Sequence, residues 1–189
     1  MLNRTITIAG PTGGGMQHLR VLLALTPEGQ CVTPTGQDVA LADRAEWICR
    51  EMYPMYRAHA PGDGWQRAEQ HHFRYWHTMD IIHRPDRPAD IRFFIRPGGS
   101  APIRALSSWK VRAMPSEPSA EWFQRPAGCI EVALPDFYLD RWPEHHLAAI
   151  AERLGLGTPD MASALRVHSA WCRINRRIWQ RVGGAPENA

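Results

Sequence analysis

A chain of 189 residues, 44% apolar and 22% charged, carries enough apolar surface to build a core, which excludes wholesale disorder. Its net charge of +3 rests on 21 arginines and one lysine, and it is segregated: residues 1–73 sum to -1, 74–112 to +5, 113–140 to -4 and 141–189 to +3. Arginine in such excess favours bidentate contact with phosphate or carboxylate, although a GC-rich genome gives the same bias.

In chain order, "RTITIAG" and "QHLRVLLAL" are β-rich runs on either side of "PTGGGM" and predict a hairpin with a loose glycine connection. "AGPTGGGMQH" lacks the lysine and following hydroxyl residue of a phosphate-binding P-loop, and a strand-like segment follows it, so a flexible turn is expected there. Asp43 and Glu46 resemble a capping box and open a helix over 43–53 that Pro54 ends. "HAPGDG" is a loop, and "WQRAEQHHFRYWHTMDIIHRP" reads as a short helix passing into a strand. "IRFFIRP", "PIRALSSWKVRAM" and "GCIEVALP", separated by turns, complete an antiparallel meander, with "PSEPS" the most linker-like segment.

From Trp142 onward the pattern is helical. Pro143 and Glu144 suit a first turn, Leu147, Ile150, Ala151 and Leu154 form one stripe, and Gly155 caps the end. Thr158 reads as the N-cap of a helix that starts with Pro159 and Asp160 and reaches Val182, roughly 36 Å long. The expected fold is therefore α+β: a mostly antiparallel sheet with packed helices over 1–140. A C-terminal helical hairpin over 141–189 packs on it as one unit and ends in a long amphipathic helix.

On that last helix Ala164, Val167, His168, Trp171, Cys172, Ile174, Ile178, Trp179 and Val182 share one half of the wheel. Arg166, Arg173, Arg176, Arg177 and Arg181 share the other, with no acidic residue among them. Arginines near a helix C-terminus favour the dipole and solubilise the face, at about 0.3–1 kcal/mol each. Five of them without a counter-charge also suit an anionic partner.

Residues 147–166 resemble the helix-turn-helix of bacterial transcription regulators: small Ala151, Gly155 four residues on, and apolar Ile150, Leu154, Leu156, Met161 and Ala164 or Leu165. That resemblance implies a second helix in the major groove, with Thr158, Pro159, Ala162, Ser163 and Arg166 facing DNA. The same spacing fits a structural αα-hairpin packed on the sheet. A second basic feature lies on the meander, where Arg92, Phe94 and Arg96 share one strand phase and Arg104, Ser108, Lys110 and Arg112 another. On a common face they would contact phosphates and stack on bases; otherwise they are a solvated sheet face.

His71, His72, His77, Asp80 and His83 crowd into thirteen residues. On a helix His72, Asp80 and His83 fall on one face and could hold a metal; on a strand Asp80 and His83 diverge. The four cysteines form no C-x-x-C pair and read as free thiols of a reducing cytoplasm. No signal peptide or membrane span is expected, so the predicted location is cytoplasmic.

The leading expectation is a non-enzymatic nucleic-acid-binding or regulatory protein without a cofactor, using the arginine helix face. The alternative is an inhibitor or adaptor of a larger, nucleoprotein-type complex, where the same arginines meet an acidic protein surface. A metal-dependent enzyme using the His71–His83 cluster comes third. A homodimer is expected if Trp171 and Trp179 are not both covered within one chain.

Overall fold

Isoleucines at alternate positions start the sheet. Strand β1 (Ile6–Ala9) buries Ile6 and Ile8 completely and sits between β2 (Met79–Ile82) and β3 (Ile91–Phe94), with β4 (Ile130–Ala133) beyond β3. All three pairings are parallel. The computed structural model describes residues 5–11, 15–33, 35–53, 79–96 and 120–181, except the side chains of Met52, Pro135 and residues 175–181.

A parallel sheet makes the protein α/β and overturns the expected antiparallel meander. Two misread signals explain the difference. "QHLRVLLAL" holds one β-branched residue, Val21, among helix formers, and it folds as α1 (Met16–Leu23), burying Met16, Leu19, Leu22 and Leu23. With a helix after β1, the chain crosses over to a parallel neighbour and no hairpin is possible. The second signal is alternation. Register aligns Met79, Ile6 and Ile8 with Ile81, Ile91 and Phe93 with Ile130 and Val132 on one face; Asp80, Thr7, Arg92 and Glu131 lie on the other. That polar row mimics the half-solvated pattern of an antiparallel sheet, whereas parallel strands usually read as continuous apolar runs.

Helix α2 (Leu41–Trp47) continues through a π-helical turn over Ile48–Met52 to Tyr53, close to the expected 43–53. Within it Arg44 is only 6% exposed and donates to three carbonyls, Ala24 O at 2.8 Å, Thr26 O at 3.1 Å and Val39 O at 3.1 Å. Its cation thus satisfies the carbonyls of Ala24 and Thr26 just past the negative end of α1, and that of Val39 before α2.

After β4 come the short α3 (Leu134–Phe137), α4 (Trp142–Arg153) and α5 (Met161–Arg181). Gly155 ends α4 in the left-handed conformation, φ 73°, and the Leu156 amide donates back to Ala151 O at 2.9 Å. The cap of α5 is Asp160 and not Thr158: its carboxylate accepts from the Ala162 amide at 3.2 Å and the Ser163 hydroxyl at 2.6 Å. Helix α5 packs on α1, α2 and α4, so the apolar core runs without a break from the sheet to Val167, Trp171 and Ile174. Among the described residues no helix is long and apolar enough to cross a membrane.

Candidate functional site

Because every strand points the same way, the chain segments leaving them gather along one edge. Gly10 follows β1, His83 and Arg84 follow β2, Ile95 and Arg96 follow β3, and Leu134 to Asp136 follow β4. The chain leaves β1 for β2 on one side and later reaches β3 on the other, so β1 is the topological switch point, where open α/β sheets place their ligands.

The connection that leaves β1 there is the glycine-rich stretch from Gly10 to Gly15, of which Gly10, Pro11 and Gly15 are among the described residues. Its start is strapped to β2: the Gly10 amide donates to Ile82 O at 3.0 Å, and the His83 Nδ1–H donates to Gly10 O at 3.2 Å. A Cβ on Gly10 would lie 2.6 Å from Met16 Sδ and 3.0 Å from Phe93 Cβ. At the far end Gly15 is the N-cap of α1 with φ 82°, and a Cβ there would lie 2.8 Å from a Phe137 ring carbon and 3.2 Å from the Trp171 ring. Both glycines let the backbone pass where no side chain fits. The stretch then runs directly into the first turn of α1, whose amides have no intrahelical acceptor and carry the positive end of the helix dipole. The strand-like successor that argued against a nucleotide site is therefore that very helix.

Cations stand along the same edge. Exposed Arg96 pairs with Asp136 at 2.9 Å, and Arg84 with Asp86 at 3.3 Å. Exposed surface pairs of this kind are worth little and exchange readily for a stronger anion.

Next to Gly15 lies a buried polar chain. Leu139 O accepts from His168 Nε2–H at 2.9 Å, so His168 Nδ1 is the acceptor for His18 Nε2–H, also at 2.9 Å. His18 Nδ1 is then the acceptor for the Tyr53 hydroxyl at 2.9 Å. His18 also stacks on Trp171 with centroids 4.1 Å apart and planes 4° apart. Burial holds His168 down to about 4, against the smaller opposing effects of Leu139 O and Asp140. Burial, then the neighbouring His168, keeps His18 well below the usual histidine range. Both rings are neutral near pH 7. Sequence reasoning placed His168 on an apolar helix half; only the second histidine inside the apolar run of α1 hinted at a partner.

The residues expected to meet a partner are scattered. Arg166 and Arg173 are exposed on α5 and both act on the half-buried Cys49. Ser163 is tied to Asp160, and Thr158 lies in a turn pinned by the Gly157 amide to the Glu28 carboxylate at 2.8 Å. Arg176, Arg177 and Arg181 belong to α5, but their side chains are outside the described set; Arg104, Lys110 and Arg112 lie outside it altogether. Arg92 donates to Arg87 O at 2.8 Å and lies 6.0 Å from the Trp122 ring, while Phe94 is buried, so this strand offers no exposed aromatic for base stacking.

Asp80 sits in β2 and His83 one residue past its end, His72 is outside the described residues, and no three metal-ligating side chains converge among those described. Trp171 is 8% exposed, covered within its own chain, while the Trp179 side chain lies outside the described set. The four cysteines are free thiols; burial pushes Cys31 up to about 12 and raises Cys49 and Cys129, so none of these three is poised as a thiolate. A shallow cleft of about 330 Å³ opens between the start of β4 and α4, lined by Arg125, Cys129, Glu131, His146 and Arg153, but Arg125 there is engaged by Glu131 at 2.6 Å. The chain matches no known family model, no curated protein and no solved structure.

Proposed function

We propose that this protein binds a phosphate-bearing small molecule, a nucleotide first among them, at the carboxyl edge of its sheet. One observation carries the reading: the glycine-rich stretch leaves the switch strand of a parallel sheet and enters a helix N-terminus through a glycine with φ 82° and no room for a side chain. Glycines bring backbone amides close to an anion, and the helix end supplies partial positive charge without a lysine. Arg84 and Arg96 on the same edge supply further donors. Calorimetry with ATP, pyrophosphate and adenosine tests it. Saturable one-to-one binding of the two phosphate ligands is expected, with adenosine far weaker; no binding of either phosphate ligand contradicts the proposal.

A second reading keeps the arginine face. Arg166 and Arg173 stand seven residues apart on one exposed side of α5 and, among the described residues, form no ion pair. Two turns of helix separate them by roughly 10 Å, a span that suits phosphates of a nucleic acid or carboxylates of an acidic protein. If nucleic acid is the partner, retention on duplex or single strands falls steeply with salt and is lost in the Arg166→Glu, Arg173→Glu double variant.

A further inference from the structure

The hydrogen-bonded chain beside Gly15 joins elements that are far apart in sequence: Tyr53 ends the π-helical turn, His18 lies in the first turn of α1, His168 is on α5, and Leu139 follows α3. Its direction is fixed at one end, because a carbonyl can only accept. Each ring therefore has one allowed tautomer, with the proton on Nε2. The rings that wall in this chain are the same ones that leave Gly15 no space: Trp171 stacks on His18 and Phe137 lies 5.8 Å from it, centroid to centroid. The position of Gly15 is thus set by the packing of His18, Trp171 and Phe137 as a unit.

An added proton fits badly. On His168 Nδ1 it would face the Nε2–H of His18 across the 2.9 Å contact. Relief requires His18 to change tautomer, and its new Nδ1–H then meets the Tyr53 hydroxyl hydrogen, which must turn away. Either way an imidazolium stays where His18 is 3% and His168 0% exposed. Little nearby could neutralise it. Tyr53 faces the pair from the π-helical turn, Trp171 from α5, and Phe137 and Trp142 from the segment after β4. Among the described residues the Asp140 carboxylate is the one charge acting on the pair, and it acts on His168.

We infer that Tyr53, His18 and His168 are positioning residues that hold the first turn of α1, and with it Gly15, in the ligand-ready geometry only while both imidazoles are neutral. Acid releases this hold, and the anion site loosens with it; the ligand half of the inference rests on the phosphate-binding reading above.

The test uses the full chain labelled with ¹⁵N. Side-chain ¹⁵N shifts of His18 and His168 are read at about pH 8 and on acidification past about pH 4, the midpoint at which His168 takes up its proton. Alongside, the hydrogen-exchange protection of the Leu19 amide, which donates to Gly15 O, is compared with that of Ile130, which donates to Asp90 O. Both rings should be Nε2–H tautomers at the higher pH. As pH falls from 6.5 towards that midpoint Leu19 should lose up to roughly ten-fold protection per pH unit while Ile130 keeps its own. Tyr53→Phe removes the donor to His18 Nδ1 and should move that midpoint to higher pH. A merely structural hydroxyl would lower both amides together and leave the midpoint in place, and that result overturns the inference. So does an Nδ1–H tautomer on either ring, or Leu19 protection unchanged through the acid range. An ATP titration at the higher pH separates the two ideas: absence of binding there sinks the phosphate reading alone, and the exchange data still decide the hold on α1.

Discussion

Gly15 and Gly155 are both left-handed glycines at helix ends, with φ 82° and 73°, and from sequence Gly155 looked the more informative. Their surroundings differ completely. Around Gly155 no atom outside its immediate chain neighbours comes within 4 Å of a would-be Cβ, so the residue only closes α4. Gly15 has Phe137 and Trp171 pressed against the same point, beside a buried histidine pair. One glycine makes a turn; the other also lets the backbone run where the rings of Phe137 and Trp171, distant in sequence, converge. A turn motif and a ligand loop therefore share their backbone angle and part company in packing.

That contrast is open to attack in order of expected size. Gly15→Ala combines left-handed strain of about 1–2 kcal/mol with overpacking of about 1–3, so denaturant unfolding should show a loss of about 3 kcal/mol. A loss below about 1 kcal/mol would mean that the rings move aside easily. Acid comes next. His168 is held at about 4 in the fold against an ordinary 6.5, so the unfolded chain takes up the proton first as pH falls. Stability from this group is intact above pH 6.5 and drains between there and about pH 4, by roughly 3 kcal/mol in all. A urea midpoint flat across that window would contradict neutral burial of the pair. Asp160→Ala removes the cap of α5 and should cost about 1 kcal/mol. Gly155→Ala should also cost about 1 kcal/mol, from backbone strain alone. Arg166→Glu with Arg173→Glu should leave the unfolding free energy within about 0.5 kcal/mol of the parent, since both side chains are exposed.

Elements where one periodicity dominated were legible before any coordinates. The strand at Ile6–Ala9, the helix near 43–53, the strands at 91–94 and 130–133 and the α4–α5 hairpin all lie where pattern put them. The orientation of the sheet did not follow from pattern, because it hangs on "QHLRVLLAL", a run short enough to satisfy strand and helix alike. Once that segment is helical, crossover geometry dictates parallel neighbours, and the glycine stretch before it gains a meaning it lacks in a hairpin. The histidine relay was hidden for another reason. His18 and His168 are 150 residues apart, and nothing local encodes which buried histidine meets which. Thr158 is the expected cap and Asp160 the actual one, because either could cap a helix after this turn; the carboxylate reaches two donors from two residues nearer the helix.

The most direct measurement is a ¹H–¹⁵N spectrum of the full chain titrated with ATP near neutral pH. Shifts concentrated in the amides of Gly10, Gly15, Met16 and Gln17, together with His83 and Arg96 at the same edge, are expected. Shifts that leave Gly15 and Met16 unmoved, or that cluster instead around Arg166 and Arg173, would contradict a phosphate site on the switch strand and move the function to the face of α5.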